Sequence, residues 1–209
     1  MSEPNPSLPQ TLHRIDELLR ICGLDRAERL DIQRLSYDTG VPREDVTALL
    51  AGGQPHPTDA DSLVRDRVRF LYEVHTNADG EPFDIRDIAA ALGATTTWVK
   101  KLVAGQAKPS ITAGADLARF YGVAPTFLTD SPAEAVNREL QSVVFDLEIT
   151  ADPEKKLKDL GVTHIAGRSI TMWGQGELVE VAKMVADITN SLKVVNTKIA
   201  RMESPEGDR

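Results

Sequence analysis

Apolar residues recur at intervals of three and four along most of the chain, and alternation at every second residue is rare. Glycine often stands where such a run ends, as expected at the ends of helices. Stretches rich in helix-breaking residues at 51–61 (AGGQPHPTDAD) and 128–132 (LTDSP) divide the chain, and the terminal SPEGDR is typical of a frayed tail. The pattern predicts an all-α protein in three consecutive segments, 1–58, 59–131 and 132–209.

The first segment contains a pattern that returns in the second. A shift of 53 positions places DIQRLSYDTGVPREDVTALLAGG (31–53) on DIRDIAAALGATTTWVKKLVAGQ (84–106) without a gap. The aligned positions are an initial acid, apolar residues, a turn glycine and a closing Ala-Gly: Asp31 with Asp84, Ile32 with Ile85, Leu35 with Ile88, Gly40 with Gly93, Val46 with Val99, Leu49 with Leu102, and Ala51-Gly52 with Ala104-Gly105. Upstream, Ile15 and Leu18 fall on Val68 and Leu71. We infer two copies of one helical unit.

The second copy has the signals of two short helices joined by a tight turn. Asp84 is a suitable N-cap for a helix with Ile85, Ile88 and Leu92 on one face, and Gly93 ends that helix. Thr95 is a suitable N-cap for the next helix, 96–103, in which the apolar residues Val99, Leu102 and Val103 point inward.

The outer face of helix 96–103 is short, polar and cationic. It carries Thr96, Thr97, Lys100 and Lys101, and Lys108 follows in the next loop. Such a face fits the major groove of DNA, where hydroxyls and ammonium groups reach base edges or phosphates. The alternative is a helical hairpin whose polar face is merely solvated.

The next elements favour the DNA-binding interpretation. Ser110 or Thr112 caps a helix ITAGADLARFYGV that ends at Gly122, and PTFLTD follows. In this order the chain resembles the Xre-type (phage-repressor-like) helix-turn-helix family of transcriptional regulators, in which five helices pack together. The positions where that family places its core are Leu71, Ile88, Ala89, Val99, Leu102, Leu117, Ala118, Phe127 and Leu128.

Within that family the resemblance is closer to the EspR-like, nucleoid-associated regulators of mycobacteria, over roughly residues 65–190. It is carried by TTTWVKKLVAGQAKPS, LARFYGVAPTFLTD and NRELQ. It implies a five-helix domain at 59–131, bases read by the first turns of helix 96–103, and a helical dimerisation region at 132–209. Trp98 is expected to pack or to contact the sugar-phosphate backbone. The residues expected to contact DNA are Thr95, Thr96, Thr97, Lys100, Lys101 and Lys108.

The chain departs from this family in its long N-terminal segment and in the first copy of the repeat. The outer face of the first copy would present Arg43, Glu44, Thr47 and Ala48, with Asp38 and Asp45 close by. Acids beside phosphate repel it, and no lysine cluster compensates for them. The first copy is therefore expected to be degenerate for DNA, and residues 11–53 to have a structural role or to bind a protein partner.

The C-terminal region carries a heptad-like stripe of apolar residues. Its predicted seam is Leu178, Val181, Val185, Ile188, Leu192, Val195 and Ile199, followed by Met202. A partner helix would bury this seam, and a homodimer would place two DNA-reading helices on one duplex. The alternative is an amphipathic helix docked on its own domain.

Charge and composition limit the kinds of binding site that the chain can contain. The net charge of −8 opposes DNA binding in general, but residues 95–110 carry three lysines and no acid, whereas residues 1–60 have a local charge of −4. A small basic face on an acidic body can bind DNA and limit non-specific contacts. Cys22 is the single cysteine and the four histidines are scattered, so neither a disulfide framework nor a zinc site is expected.

No secretory signal or membrane-spanning run is recognisable, so a cytoplasmic, nucleoid location is expected. The motifs GxxxxGK[ST], GxGxxG, HExxH, GxSxG and paired CxxC are absent, which argues against an enzyme and against a cofactor. The expected function is that of a dimeric, sequence-specific DNA-binding transcriptional regulator. The alternative is a non-enzymatic adaptor that binds another regulator or the transcription machinery through its helical repeat.

Overall fold

The computed structural model of the protein describes residues 6–77, 79–162, 164–165, 168–169 and 173–203. Its regular structure in the described residues is helical apart from two short strands, which confirms the predicted all-α class. The helices are α1 (Leu8–Cys22), α2 (Arg26–Arg29), α3 (Ile32–Thr39), α4 (Arg43–Leu50), α5 (Ala60–Val74), α6 (Ile85–Ala91), α7 (Thr96–Val103), α8 (Ile111–Tyr121), α9 (Pro132–Ala151), α10 (Pro153–Asp159) and α11 (Gln175–Glu203). Two-residue strands β1 (His164–Ile165) and β2 (Arg168–Ser169) pair antiparallel, with His164 opposite Ser169.

The chain forms two compact units that do not follow the three predicted segments. One unit contains the described residues of Met1–His13 and Asp25–Gln141, and the other contains Arg14–Leu24 and the described residues of Ser142–Arg209. The expected boundary between residues 58 and 59 does not separate compact units. Both copies of the repeat lie in the first unit because they share packing: Gly40 of the first copy lies against Phe70 and Phe127.

The predicted repeat is confirmed at the level of its helices. Helix α7 begins and ends 53 residues after α4. Asp31 and Asp84 each cap the first helix of their copy and accept hydrogen bonds from backbone N–H groups of its first turn. Gly40 and Gly93 end those regions with φ of +65° and +58°, a left-handed conformation that glycine adopts without the steric cost of a Cβ.

A buried core holds the second copy together. All nine core positions that the family resemblance implied are buried. Most of them join Val68 in one cluster formed by α5, α6, α7, α8 and the loop that carries Phe127 and Leu128. Ser110, one of the two predicted caps, accepts a hydrogen bond from Ala113 N at the start of α8, and the helix ends at Gly122 with φ of +69°. The local signals and the packing therefore agree in this region.

The second unit has its own small core on α11. Among the side chains of this helix that the structure describes, the buried ones are Leu178, Ala182 and Ala186, which pack with Ile149 and Leu157. Since these three positions are spaced by four residues, they define one face of the helix. The beginning of α11 therefore docks on its own unit, as the alternative interpretation of the apolar stripe expected. No helix in the described part of the chain is long and apolar enough to cross a membrane.

Candidate nucleic-acid interface

Helix α7 is fixed at its start and along its inner face. Thr95 Oγ1 accepts a hydrogen bond of 3.3 Å from Trp98 N, which satisfies one of the backbone N–H groups left unpaired at a helix start. Val99 and Leu102 are fully buried, and Trp98 packs against the same core. The predicted packing role of Trp98 is thus confirmed, and the outer face of α7 has a defined direction.

The outer face presents the four side chains that the sequence placed there. Thr96, Thr97, Lys100 and Lys101 are all exposed. Neither lysine has an ion-pair partner within the described ranges, so both ammonium groups are hydrated and available. Residues 1–141 contain lysine only at positions 100, 101 and 108, so this face and the loop after it concentrate the lysines of the first unit.

Lys108 differs from the other two lysines because it already has a partner. Its Nζ lies 2.6 Å from Oδ1 of Asp61, and both side chains are about half exposed. An ion pair at such a surface contributes about 0–1 kcal/mol, so a phosphate group can replace the carboxylate at small cost. An anion that approached Lys108 would therefore compete with Asp61.

Arg69 is a cation beside α7 that sequence reasoning did not identify. A Cβ added at Gly105, where φ is +71°, would collide with the Arg69 guanidinium, so this group lies directly over the turn that follows α7. Arg69 is exposed, and it forms an ion pair with Asp66 at 3.8 Å. No local signal links Arg69 to Gly105 in the sequence, because the packing of α5 on α7 brings them together.

The equivalent helix of the first copy, α4, presents a different surface. Arg43, Glu44 and Thr47 are exposed, and Thr47 stands where α7 has Lys100. Pro42 replaces the capping threonine, and the start of α4 has no side-chain cap. This face of α4 has no lysine cluster, as expected from the sequence for a first copy that is degenerate for DNA.

The expectation that Asp45 would be an exposed acid was wrong. Asp45 is only 6% exposed, because its carboxylate points toward the loop after α4. Oδ1 accepts a hydrogen bond of 2.9 Å from His56 N and lies 2.5 Å from His56 Nδ1. The hydrogen bond and the negative charge of Asp45 raise the pKa of His56 above its ordinary value. Asp45 is thus a structural anchor of the loop and not a surface charge.

The residues of the predicted dimer seam fall into different environments. Leu178 is buried in the core of its own unit, and Val181 and Val185 pack partly against that core. Ile188 is 54% exposed, and Met184, one turn before it, is 61% exposed. The side chains of Leu192, Val195, Ile199 and Met202 lie outside the described residues. In the described part of α11, the apolar surface left open is therefore that of Met184 and Ile188.

A metal centre has no counterpart at this surface. In the part of the chain that the structure describes, no group of three or more His, Cys, Asp or Glu side chains is arranged to hold a metal ion. The candidate interface therefore offers hydroxyl and ammonium groups on the helix α7, with one arginine beside them.

Comparison with known proteins found no matching family model, no matching curated protein and no matching solved structure.

Proposed function

We propose that this protein is a dimeric, sequence-specific DNA-binding regulator that places α7 in the major groove. The observation that carries the proposal is the exposed face of Thr96, Thr97, Lys100 and Lys101, which has no internal ion pair and is oriented by buried residues of the same helix. Exposed polar residues that form no ion pair within the protein, and that are held on a rigid helix, favour a role in binding another molecule.

The chemistry of this face suits a duplex. An α-helix fits the width of the major groove, where threonine hydroxyls donate to or accept from base edges. The lysines reach guanine acceptors or phosphate oxygens from the next turn. Arg69 and Lys108, at the far end of α7 and in the loop after it, would then meet the phosphate backbone, which positions the helix without reading sequence.

The overall charge of the chain restricts this binding to one surface. A net charge of −8 repels phosphate at long range, so attraction is confined to the local cluster of cations. Such a protein gains little from non-specific contacts. Its affinity would rely on correct base contacts and on two copies binding together.

The open apolar surface on α11 supports a dimer. Met184 and Ile188 are large apolar residues one helical turn apart, and both are more than half exposed. Their burial against the same residues of a second copy would remove apolar area from water. Two linked α7 helices would then bind a duplex far more tightly than either one alone.

The test compares two double variants with the same change in charge. Lys100→Ala with Lys101→Ala removes the cations of α7, whereas Lys155→Ala with Lys158→Ala removes two exposed lysines of the second unit. Binding to genomic fragments, followed by titration with the selected duplex at several salt concentrations, measures both affinity and salt dependence.

We expect the α7 variant to bind about tenfold or more weakly and to lower the salt slope by about two, because each phosphate interaction that is removed lowers it by about 0.9. The control should retain both values, and circular dichroism should show unchanged helicity for each. Equal losses of DNA affinity in the two double variants, or no loss in either, would contradict the proposal that the outer face of α7 binds DNA.

A second candidate function is a protein-binding adaptor, which one observation favours. A surface cleft between the first copy and α5 is lined by Tyr37, Phe70 and Val74 together with Arg34 and Arg43. Tyr37 and Val74 are exposed large hydrophobic residues, a kind of surface common at protein interfaces. Absence of DNA binding at low salt, for the intact and folded chain, would favour the adaptor over the regulator.

A further inference from the structure

The cations around α7 fall into two groups according to their partners. The two lysines on the outer face of the helix form no ion pair within the described residues. Beside the end of the helix, Lys108 pairs with Asp61 and Arg69 pairs with Asp66. Both carboxylates belong to α5. The cations that would meet the phosphate backbone are thus the ones that already have an acidic partner.

The loop after α7 passes along α5 and creates the pair between Lys108 and Asp61. The loop starts at Gly105, where an added Cβ would collide with the guanidinium of Arg69. Three residues later, Lys108 Nζ lies 2.6 Å from Oδ1 of Asp61, in the first turn of α5. The two residues are 47 positions apart in the sequence. Their pair therefore depends on the packing of this loop on α5 and not on spacing within one helix.

The carboxylate of Asp61 is not the cap of α5. That role belongs to Asp59, whose Oδ1 accepts hydrogen bonds from Asp61 N and Ser62 N. Asp61 contributes only its backbone N–H to the cap, while its side chain accepts from Lys108. Replacement of Asp61 by asparagine would remove the charge and keep both the cap and the shape of the side chain.

A carboxylate bound to a lysine occupies the place that a phosphate oxygen would take. Both groups are anionic oxygens that accept charge-assisted hydrogen bonds from an ammonium group. A phosphate that approached Lys108 would displace Asp61 and would then lie close to a second negative charge, which repels it. Since both side chains are about half exposed, the pair is a weak one, and the competition changes phosphate binding by a small factor.

Competition for phosphate affects every duplex alike. Contacts to phosphate position a protein on DNA but carry no sequence information, whereas contacts to base edges distinguish one sequence from another. An acid that weakens only a phosphate contact therefore lowers the affinity for all sequences by about the same factor. It leaves the ratio between preferred and other sequences unchanged.

We propose, on the basis of the proposed function, that Asp61 is an internal competitor for phosphate, which lowers the affinity of this protein for DNA of any sequence by occupying Lys108. Asp66 acts on Arg69 in the same way but more weakly, because its ion pair is longer, at 3.8 Å. The lysines on the outer face of α7 have no such competitor. The chain thus restrains binding to the DNA backbone while its base-reading face stays free.

The test compares Asp61→Asn with Glu73→Gln, which removes another exposed carboxylate of α5. Glu73 forms no ion pair within the described residues, so the two variants share the change in net charge but not the loss of a pair. The affinity of the intact protein is measured at low salt for the selected duplex and for a duplex of scrambled sequence.

We expect Asp61→Asn to raise both affinities about two- to fivefold and to leave their ratio unchanged, while Glu73→Gln stays close to the wild type. An equal gain in both variants would mean that net charge alone is responsible, and it would overturn the proposal. A gain restricted to the selected duplex would overturn it too, since Lys108 would then contact bases.

A double-mutant cycle tests whether Asp61 acts through Lys108. In a protein that carries Lys108→Ala, Asp61→Asn should no longer raise the affinity for either duplex. A gain that persists without Lys108 would contradict the proposal. So would a Lys108→Ala substitution that leaves the affinity of the Asp61→Asn protein unchanged, because Lys108 would then make no contact with DNA.

Different outcomes separate a wrong function from a wrong role for Asp61. If α7 does not bind DNA, the wild type has no affinity at low salt or keeps it after Lys100→Ala with Lys101→Ala, and the role of Asp61 falls as well. If α7 binds DNA but Asp61 is no competitor, that double variant loses affinity while Asp61→Asn behaves like Glu73→Gln. Thermal unfolding should change little in Asp61→Asn, because an exposed ion pair contributes little to stability.

Discussion

Gly40, which ends α3 in the first copy of the repeat, lies against the ring of Phe127, which belongs to the core of the second copy. A Cβ on Gly40 would stand 2.8 Å from Cζ of Phe127 and 3.3 Å from Cδ1 of Phe70. The first distance is too short for two carbon atoms and the second is tight, so the absence of a side chain at position 40 allows the two copies to pack together. This packing also explains why both copies belong to one compact unit.

The close approach at Gly40 can be tested against its counterpart in the repeat. Gly93 has nearly the same backbone conformation as Gly40, but a Cβ there would meet nothing within 4 Å. Gly93→Ala should cost about 1–2 kcal/mol for the left-handed conformation alone. Gly40→Ala should cost that amount plus about 1–3 kcal/mol of overpacking. Urea unfolding of both variants measures the difference, and equal losses would show that Phe127 and Phe70 move aside freely.

His56 and His75, both in the first unit, should give the stability opposite dependences on pH. The pKa of His56 is raised by Asp45, so its contribution is complete below the ordinary value of 6.5 and is lost as the pH rises through the folded-state value. The pKa of His75 is lowered by burial, so its contribution is present above 6.5 and is lost as the pH falls below that value.

Two substitutions separate these effects. His56→Gln should destabilise the protein at acidic pH and have little effect at alkaline pH. His75→Phe keeps a ring stacked on Tyr37, which lies 4.6 Å away between ring centres, and should remove the loss of stability at acidic pH. Unfolding free energies measured across pH 5 to 9, with the wild type as reference, show whether each substitution changes the pH dependence of stability in the expected direction. Identical pH profiles of stability for the two variants would contradict the pairing of His56 with Asp45 and the effect of burial on His75.

The open surface of α11 gives a prediction about assembly. Ile188→Glu places a charge on a residue that is already 54% exposed, so it should leave the monomer folded while dissociating the dimer. Lys183→Glu changes an exposed residue of the same helix outside the apolar stripe and should remain dimeric. Leu178→Ala, in contrast, should destabilise the unit itself by about 2–5 kcal/mol because Leu178 is buried in its core.

Light scattering measures the mass of each α11 variant, and thermal unfolding measures its stability. A dimer that survives Ile188→Glu would mean that Met184 and Ile188 are not at the interface. DNA affinity should fall together with the dimer, since two joined DNA-binding helices bind more tightly than one.

The threonines of α7 should control sequence preference more than total affinity. Thr96→Ala with Thr97→Ala removes two exposed hydroxyls without changing charge, and the loss of each base interaction would cost about 1–3 kcal/mol on the preferred site. Selection from randomised duplexes should return a relaxed site for this variant. Thr47→Ala in α4, whose hydroxyl donates to Arg43 O, is the control and should select the wild-type site. An unchanged site for the α7 variant would refute base reading by these hydroxyls.

Local signals were sufficient to predict much of the first unit. The caps Asp84, Thr95 and Ser110, and the glycines that follow, set helix ends that the structure reproduces within a residue or two. The apolar spacing placed Val99 and Leu102 in the core. Those features depend on neighbours within one or two turns, which the sequence displays directly.

The features that the sequence did not predict depend on packing between distant segments. Asp45 looked exposed because its partner, His56, lies beyond a stretch of glycine and proline. Arg69 and Arg67 are two of several arginines on α5, and only the packed structure shows that one covers Gly105 while the other is buried. On α11, a stripe of apolar residues looks the same whether the helix packs on its own unit or on another copy.

Helix α5 serves both copies of the repeat, because Phe70 on it touches the turn of the first while Val68 and Leu71 fill the core of the second. The first copy thereby covers Phe70 and Phe127, so its removal would expose both rings to water. This structural task belongs to the interior of the first copy and would persist whether or not its outer face contacts DNA.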